Sequence, residues 1–134
     1  MRPRYNAFRI TVGKKDMETG SEQTADQQTT VAELKAIMQK FVDERNWQKF
    51  HNAKNLTMSL AIEAGELMEH FQWLTTEQVE QGTGYDRNEV ADELADVVCY
   101  ALSLANALDL DIAQSVESKM RKNREKYPIG GSDF

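Results

Sequence analysis

The sequence predicts an all-α fold arranged as a four-helix bundle, and three observations predict it. Apolar residues recur at helical intervals from Thr30 onward, residues with capping chemistry precede the periodic runs, and no convincing core strand interrupts them. At 134 residues the chain suits one domain, and 40% hydrophobic with 28% charged residues allow a modest core.

The first helix starts at Thr30-Val31-Ala32-Glu33, which has the spacing of a capping box. Val31, Leu34, Ile37, Met38 and Phe41 follow on one face, and the helix is expected to end near Asn46. A second helix is expected from about Ala53 to Trp73, with Leu56, Leu60, Ile62, Leu67, Met68 and Phe71 as its apolar face. Thr75 to Tyr85, containing Gly82 and Gly84, reads as a soft loop. Asp86, with Glu89 three residues on, opens a third helix to about Leu108. Its apolar residues Leu94, Val97, Val98, Ala101, Leu102, Ala105 and Leu108 spread widely enough to be covered on more than one side, so a partner surface is expected. Asp111 caps a fourth helix through about Lys126, which Pro128 and Gly130-Gly131 stop. The helical domain is thus 29–128, with a short tail at 129–134. Residues 1–28 read as a weakly structured, flexible extension: Tyr5 to Val12 has the pattern of a short extended piece, and Gly13 to Gln28 has almost no apolar content.

Sixteen Lys+Arg against 22 Asp+Glu give a net charge of −6. That balance opposes binding to a nucleic acid polymer, whose phosphates attract clustered cations. A phosphate-rich ligand here needs bridging cations. Cys99 is the single cysteine, so neither an intrachain disulfide nor a cysteine zinc cage forms, and a reducing, cytoplasmic setting is expected. No apolar run approaches the roughly 20 residues of a spanning helix, and Met1 to Lys15 lacks the apolar core of a secretory signal. A soluble protein without a membrane partner is expected.

The sharpest chemical feature is Glu63-x-x-Glu66 on the second helix, matched by Glu93-x-x-Asp96 on the third. Residues three apart share a helical face, and antiparallel packing brings two such faces together. Four carboxylates in one cleft repel and raise one another's pKa values unless positive charge is supplied. An all-oxygen donor set favours Mg²⁺ or Mn²⁺ over zinc. Isolated acid pairs at this spacing usually decorate a solvated face, which would leave a non-catalytic helical oligomerisation or interaction module. Two features favour the metal. The pairs sit mid-helix, away from the N-terminal dipole, and they lie in polar stripes, Ser59-Glu63-Glu66-His70-Trp73 and Glu89-Glu93-Asp96-Tyr100-Ser103, at bundle-seam positions. A di-iron site is excluded, because it requires Glu-x-x-His on two helices and the third helix has no histidine.

Trp47 and Trp73 flank the acids, and an indole can stack on a nucleobase, although a tryptophan taken alone more often fills a core. His51 lies in the polar segment after Trp47. Lys119, Asn123 and Lys126, spaced four and three apart, form one face suited to phosphate oxygens, although basic residues also belong at a helix C-terminus on electrostatic grounds alone. Acids for a metal, bases for phosphate and aromatics for a base together point to a nucleotide.

The ordered set Phe41-Val-Asp-Glu-Arg-Asn-Trp47, Phe50-His51, Asn55-Leu56, Glu63-Ala-Gly-Glu66-Leu67, Phe71-Gln72-Trp73, Asp92-Glu93-Leu94-Ala95-Asp96-Val97, Lys119-Met120 and Asn123-Arg-Glu-Lys-Tyr127-Pro128 resembles the MazG-like all-α nucleoside triphosphate pyrophosphohydrolases, and within them the dCTP pyrophosphatase branch. The resemblance covers residues 31 to 128. It implies a helical protomer, a homodimer or homotetramer, and cleavage of an NTP or dNTP to the monophosphate and pyrophosphate. It implies Glu63, Glu66, Glu93 and Asp96 as Mg²⁺ ligands, Trp47 and Trp73 in the base pocket with Tyr100 and His51 around it, and Lys119 and Asn123 on the phosphates, with Lys126 a looser match. Glu66 is the first choice for the catalytic base and Glu63 the second. One position departs: where animal dCTP-preferring members carry a histidine near the base, this chain has Met38.

Overall fold

The structure, a computed structural model, describes residues 23–130. Within them the chain forms helices α1 (Ala25–Gln28), α2 (Val31–Glu44), α3 (Ala53–Glu69), α4 (Thr76–Glu80), α5 (Arg87–Ala107) and α6 (Ile112–Lys126), with a 3₁₀ turn at Gln48–Phe50 and no strand among the described residues. The fold is all-α, and α2, α3, α5 and α6 are the four expected long helices. The extended piece expected at Tyr5 to Val12 lies outside the described residues.

Side chains near each start set the helix boundaries. Thr30 and Glu33 form the reciprocal box, with Glu33 N–H donating to Thr30 Oγ1 at 3.2 Å and Thr30 N–H to Glu33 Oε2 at 2.7 Å. Asn52, Asp86 and Asp111 each accept a backbone N–H at the starts of α3, α5 and α6. α2 ends in a paired turn: Trp47 N–H donates to Val42 O and Asn46 N–H to Asp43 O, both at 3.1 Å, with Asn46 left-handed at φ 54°. This reversal carries Trp47 back against Phe41, ring centroids 5.8 Å apart, at the mouth of the site described below.

Two expectations differ from the structure. α3 stops at Glu69 instead of reaching Trp73, because the chain tightens into three-residue turns there, Phe71 N–H to Met68 O and Leu74 N–H to Phe71 O. Phe71 then packs on Tyr85 at 5.0 Å. Trp73 is left 86% exposed. The stretch expected as a loop contains α4, started by a second capping box between Thr75 and Gln78. The connection back to α5 requires Gly84, whose φ is +87° and where a Cβ would meet Leu74 Cδ2 at 2.7 Å.

Packing centres on α5, which lies against α3 most extensively and against α2 to a lesser degree, whereas α6 makes slight contact with the other helices. The buried apolar residues are Met38 and Val42 of α2, Leu56 of α3, and Leu102 and Ala105 of α5. That is a thin core, and Met58, Ile62, Met68, Leu94, Val98, Val116 and Met120 stay exposed. Leu56 is the largest side chain buried to within 2% of its surface. Leu56→Ala is therefore expected to destabilise the fold by about 3 kcal/mol, the usual cost of a cavity that neighbours fill only in part. Urea denaturation measures it, and a loss below about 1 kcal/mol would show that α2, α3 and α5 do not meet at this residue.

Candidate active site

The antiparallel α3 and α5 bring acids together at their seam. Glu63 and Glu66 from α3 and Glu93 from α5 each offer a carboxylate oxygen within 4.8 Å of the others. Their exposures differ. Glu63 is buried, Glu93 half-buried and Glu66 exposed. Burial, reinforced by the negative charge of Glu66, Asp96 and Glu93 and by a hydrogen bond with Glu66, pushes the Glu63 carboxyl up to about 7. Burial likewise raises Glu93, where Glu66, Asp96 and Asp92 add to the shift and His70 opposes it. Asp96 is raised by burial and then by Asp92 and Glu66. Asp96 therefore shares the electrostatic field of the cluster while lying outside the tight trio.

A second feature bears on what this site holds. Glu93 Oε2 is fully buried and has no hydrogen-bond partner. A buried carboxylate oxygen without a donor is costly, and a cation is the group that relieves both its desolvation and the repulsion from its neighbours. Carboxylate oxygens are also the donors that Mg²⁺ and Mn²⁺ prefer. The residues present fit such an ion.

One helical turn from the acids, towards the N-terminus of α3 and the C-terminus of α5, lies a pocket of about 290 Å³ lined by Trp47, His51, Asn55, Ser59, Ile62 and Tyr100, among others. Ser59 precedes Glu63 by one turn and Tyr100 follows Asp96 by one, so pocket and acids are continuous along the two helices. Asn55 Nδ2 donates to Phe50 O at 3.1 Å, tying the 3₁₀ turn to α3 and holding the wall that carries Trp47 and His51. Burial pushes the His51 imidazole below its ordinary value, which keeps it neutral at pH 7 with one donor and one acceptor nitrogen.

Three of the sequence's aromatic and imidazole candidates thus share one pocket, while Trp73 stands apart in solvent. The basic residues of α6 are elsewhere. Lys119 lines a surface pocket with Gln114, Ser118, Arg121 and Lys122 and none of the acids. Asn123 Nδ2 lies 3.8 Å from Met120 Sδ, and Lys126 Nζ lies 5.2 Å from the Tyr127 ring centre.

The MazG-like family model matches residues 58–133, more than half of the chain and all four acids. The chain belongs to the MazG-like family. It is 36% identical over 123 residues to dCTP pyrophosphatase 1 of Mus musculus, covering 90% of this chain and 72% of that protein. To dCTP pyrophosphatase 1 of Homo sapiens it is 37% identical over 120 residues, covering 83% of this chain and 71% of the relative. Among solved structures, a pyrophosphatase from Archaeoglobus fulgidus superposes with a TM-score of 0.69 at 34% identity, covering 83% of this chain and 99% of the other.

In this MazG-like protein two further groups bear on the acids, and the sequence reading assigns a role to neither. Asp92 raises both Glu93 and Asp96, and its signal was available as the acid immediately before Glu93. His70, one turn beyond Glu66, is the cationic influence on Glu93. It was visible in the polar stripe but has no place in an all-oxygen donor set.

The raised carboxyls make stability depend on pH with a definite sign. An acid whose folded pKa exceeds its unfolded value of 4.5 binds the extra proton in the folded state, so its contribution is present at low pH and lost as pH rises through the folded value, about 7 for Glu63. Without divalent ions the thermal midpoint is expected to fall between about pH 5 and pH 8, and Glu63→Gln is expected to flatten that fall. Mg²⁺ is expected to raise the midpoint more at pH 8 than at pH 5, because ligands must lose protons to bind it. A profile identical in the parent and the variant would show that Glu63 is not the stressed group.

Proposed function

We propose that the chain is a divalent-metal-dependent nucleoside triphosphate pyrophosphohydrolase acting on dCTP or a modified dCTP, with Mg²⁺ as its ion and Mn²⁺ as a substitute. The enzyme class rests on the family and on pyrophosphatase relatives that cover most of the chain. The observation that carries the metal is the meeting of Glu63, Glu66 and Glu93 oxygens within 4.8 Å, together with a buried Glu93 oxygen that has no donor. The cytosine preference is drawn from the relatives' names.

In this reading Glu63, Glu66, Glu93 and Asp96 would hold the ion, which when bound would supply positive charge for the triphosphate and lower the pKa of water at the site. Glu66, the exposed acid, reaches the incoming water and takes its proton as the water attacks phosphorus. The bond from the α-phosphate to the leaving pyrophosphate breaks in line. Glu63, buried and shifted towards neutrality, stays in the ligand set. Trp47 and Tyr100 flank the base in the adjoining pocket, and His51 offers it a neutral imidazole edge. Trp73 is also assigned to the base, and Lys119, Asn123 and, more loosely, Lys126 to the phosphates.

Those last assignments call for a second copy. Trp73 is exposed, α6 packs slightly on its own chain, and Val116, Met120 and Tyr127 leave an apolar stripe along α6 open to solvent. A homodimer or homotetramer covers such surface. Sedimentation equilibrium is expected to give at least twice the chain mass of 15.3 kDa, and a monomer would contradict the assembly. Among the described residues no helix is long and apolar enough to cross a membrane. We place the enzyme in the cytoplasm, which suits the unpaired Cys99.

The activity is tested by substituting Glu63→Gln, Glu66→Gln, Glu93→Gln and Asp96→Asn singly and following pyrophosphate release from a panel of NTPs and dNTPs, 5-modified cytosines included. Each is expected to lower kcat/KM by about 100-fold or more. Retained turnover in all four would eliminate the mechanism.

A further inference from the structure

The pocket that holds Trp47 and Tyr100 has two walls on long helices and a third on a short turn. Asn55, Ser59 and Ile62 come from α3 and Tyr100 from α5, whereas Trp47, Phe50 and His51 belong to the 3₁₀ segment that follows α2. The width of the pocket is therefore set by where that segment sits. Packing against α5 is interrupted beneath it by a cavity of about 160 Å³, lined by residues of α2, the turn and α5. On the α5 wall of this cavity Ser103 is 6% exposed, and its hydroxyl has no hydrogen-bond partner, so that side chain gives the turn no bond across the gap. The reversal into the turn also passes through Asn46 at φ 54°, a left-handed conformation that costs a residue with a Cβ.

Side-chain bonds hold the segment at both ends. Asn55 ties its far end to α3 through Phe50 O. At the near end Gln48 Nε2 donates to Asp43 Oδ1 at 2.8 Å, reaching back across the reversal to the last turn of α2. Gln39 Nε2, one turn earlier in α2, donates to the same oxygen at 2.9 Å and so fixes the orientation of the carboxylate. One acceptor atom thus joins the body of α2 to the turn that carries Trp47 and His51, and Asp43 itself does not line the pocket.

We propose that Asp43 is a positioning residue of this enzyme: oriented by Gln39, it holds Gln48 and through it sets the distance of Trp47 and His51 from Tyr100. The inference rests on the pyrophosphohydrolase reading for what the pocket receives. Position and charge then act with opposite signs. Removing a negative charge by itself favours an anionic nucleotide and lowers KM, whereas freeing one wall of the pocket raises it. An asparagine separates the two, because its carbonyl oxygen accepts both amides without the charge.

The test compares the parent with Asp43→Ala, Asp43→Asn and Gln48→Leu in the full chain, on the nucleotide of the panel that turns over best. Asp43 and Gln48 are both exposed, so either substitution leaves the core intact. Asp43→Ala and Gln48→Leu are each expected to raise KM about fivefold with kcat within about twofold, and Asp43→Asn to keep KM within about twofold of the parent. A KM unchanged or lowered in Asp43→Ala, or Asp43→Asn behaving like Asp43→Ala, would overturn the proposal. A second readout needs no hydrolysis. With Trp73→Phe in the background Trp47 is the single tryptophan, and acrylamide quenching of its fluorescence reports how firmly the turn is held. Asp43→Ala is expected to raise the quenching constant about twofold and Asp43→Asn to restore it. That pattern supports the positioning role even if no nucleotide is cleaved and the hydrolase reading falls, and equal quenching in all variants overturns it.

Discussion

Three carboxylates meet at the α3–α5 seam with oxygens inside 4.8 Å, and the rest of the molecule is arranged around that repulsion. Two unit charges about 4 Å apart repel by about 4 kcal/mol at an effective dielectric near 20. The chain answers only in part. Glu63 drifts towards its neutral form and His70 lends some positive potential to Glu93. No lysine or arginine forms an ion pair with these acids among the described residues, whose salt bridges join Lys40 and Arg45 to Glu44. Fold stability is thereby set against site chemistry: the helices that pack best carry the groups that least tolerate being packed, and a dication held by them would reconcile the two.

The remaining architecture serves to hold that seam in register. α5, the longest helix, carries Glu93 and Asp96 in its first half and the core residues Leu102 and Ala105 in its second, so the same rod anchors the fold and presents the acids. The reversal at Asn46 and the bond from Asn55 to Phe50 set Trp47 and His51 one turn away from the acids. The result is a linear order along α3 and α5: charge at one end and an aromatic pocket next to it. That order matches a molecule with phosphates at one end and a flat polar base at the other. The thin core and the exposed apolar residues of α3, α5 and α6 are what such an arrangement costs a single chain.

Much of this was legible in the residues. Capping chemistry at Thr30, Asp86 and Asp111 and the apolar periodicity were enough for four helices, because these are local signals that tertiary packing reinforces. Acid pairs on two adjacent helices foretold the convergence of Glu63, Glu66 and Glu93. Periodicity carries α3 on to Trp73 because apolar content continues past Glu69, and it does not register that the chain turns there to pack Phe71 on Tyr85. α4 was overlooked although Thr75 and Gln78 have the spacing of a capping box, since Gly82 and Gly84 dominated the reading of that stretch. The cavity at Ser103 was out of reach: a serine among apolar neighbours looks like any tolerated small residue until its hydroxyl is seen to lack a partner. The surroundings of α6 are equally invisible to spacing rules, because its apolar stripe is described the same way whether it covers its own chain or another.

Crystals grown with Mn²⁺ and a non-hydrolysable nucleotide, examined by anomalous scattering, address the acid cluster most directly. A peak about 2.1 Å from oxygens of Glu63, Glu66 and Glu93, with Asp96 in or next to its shell, is the expected result. Manganese bound elsewhere, with these acids turned to solvent, would contradict it.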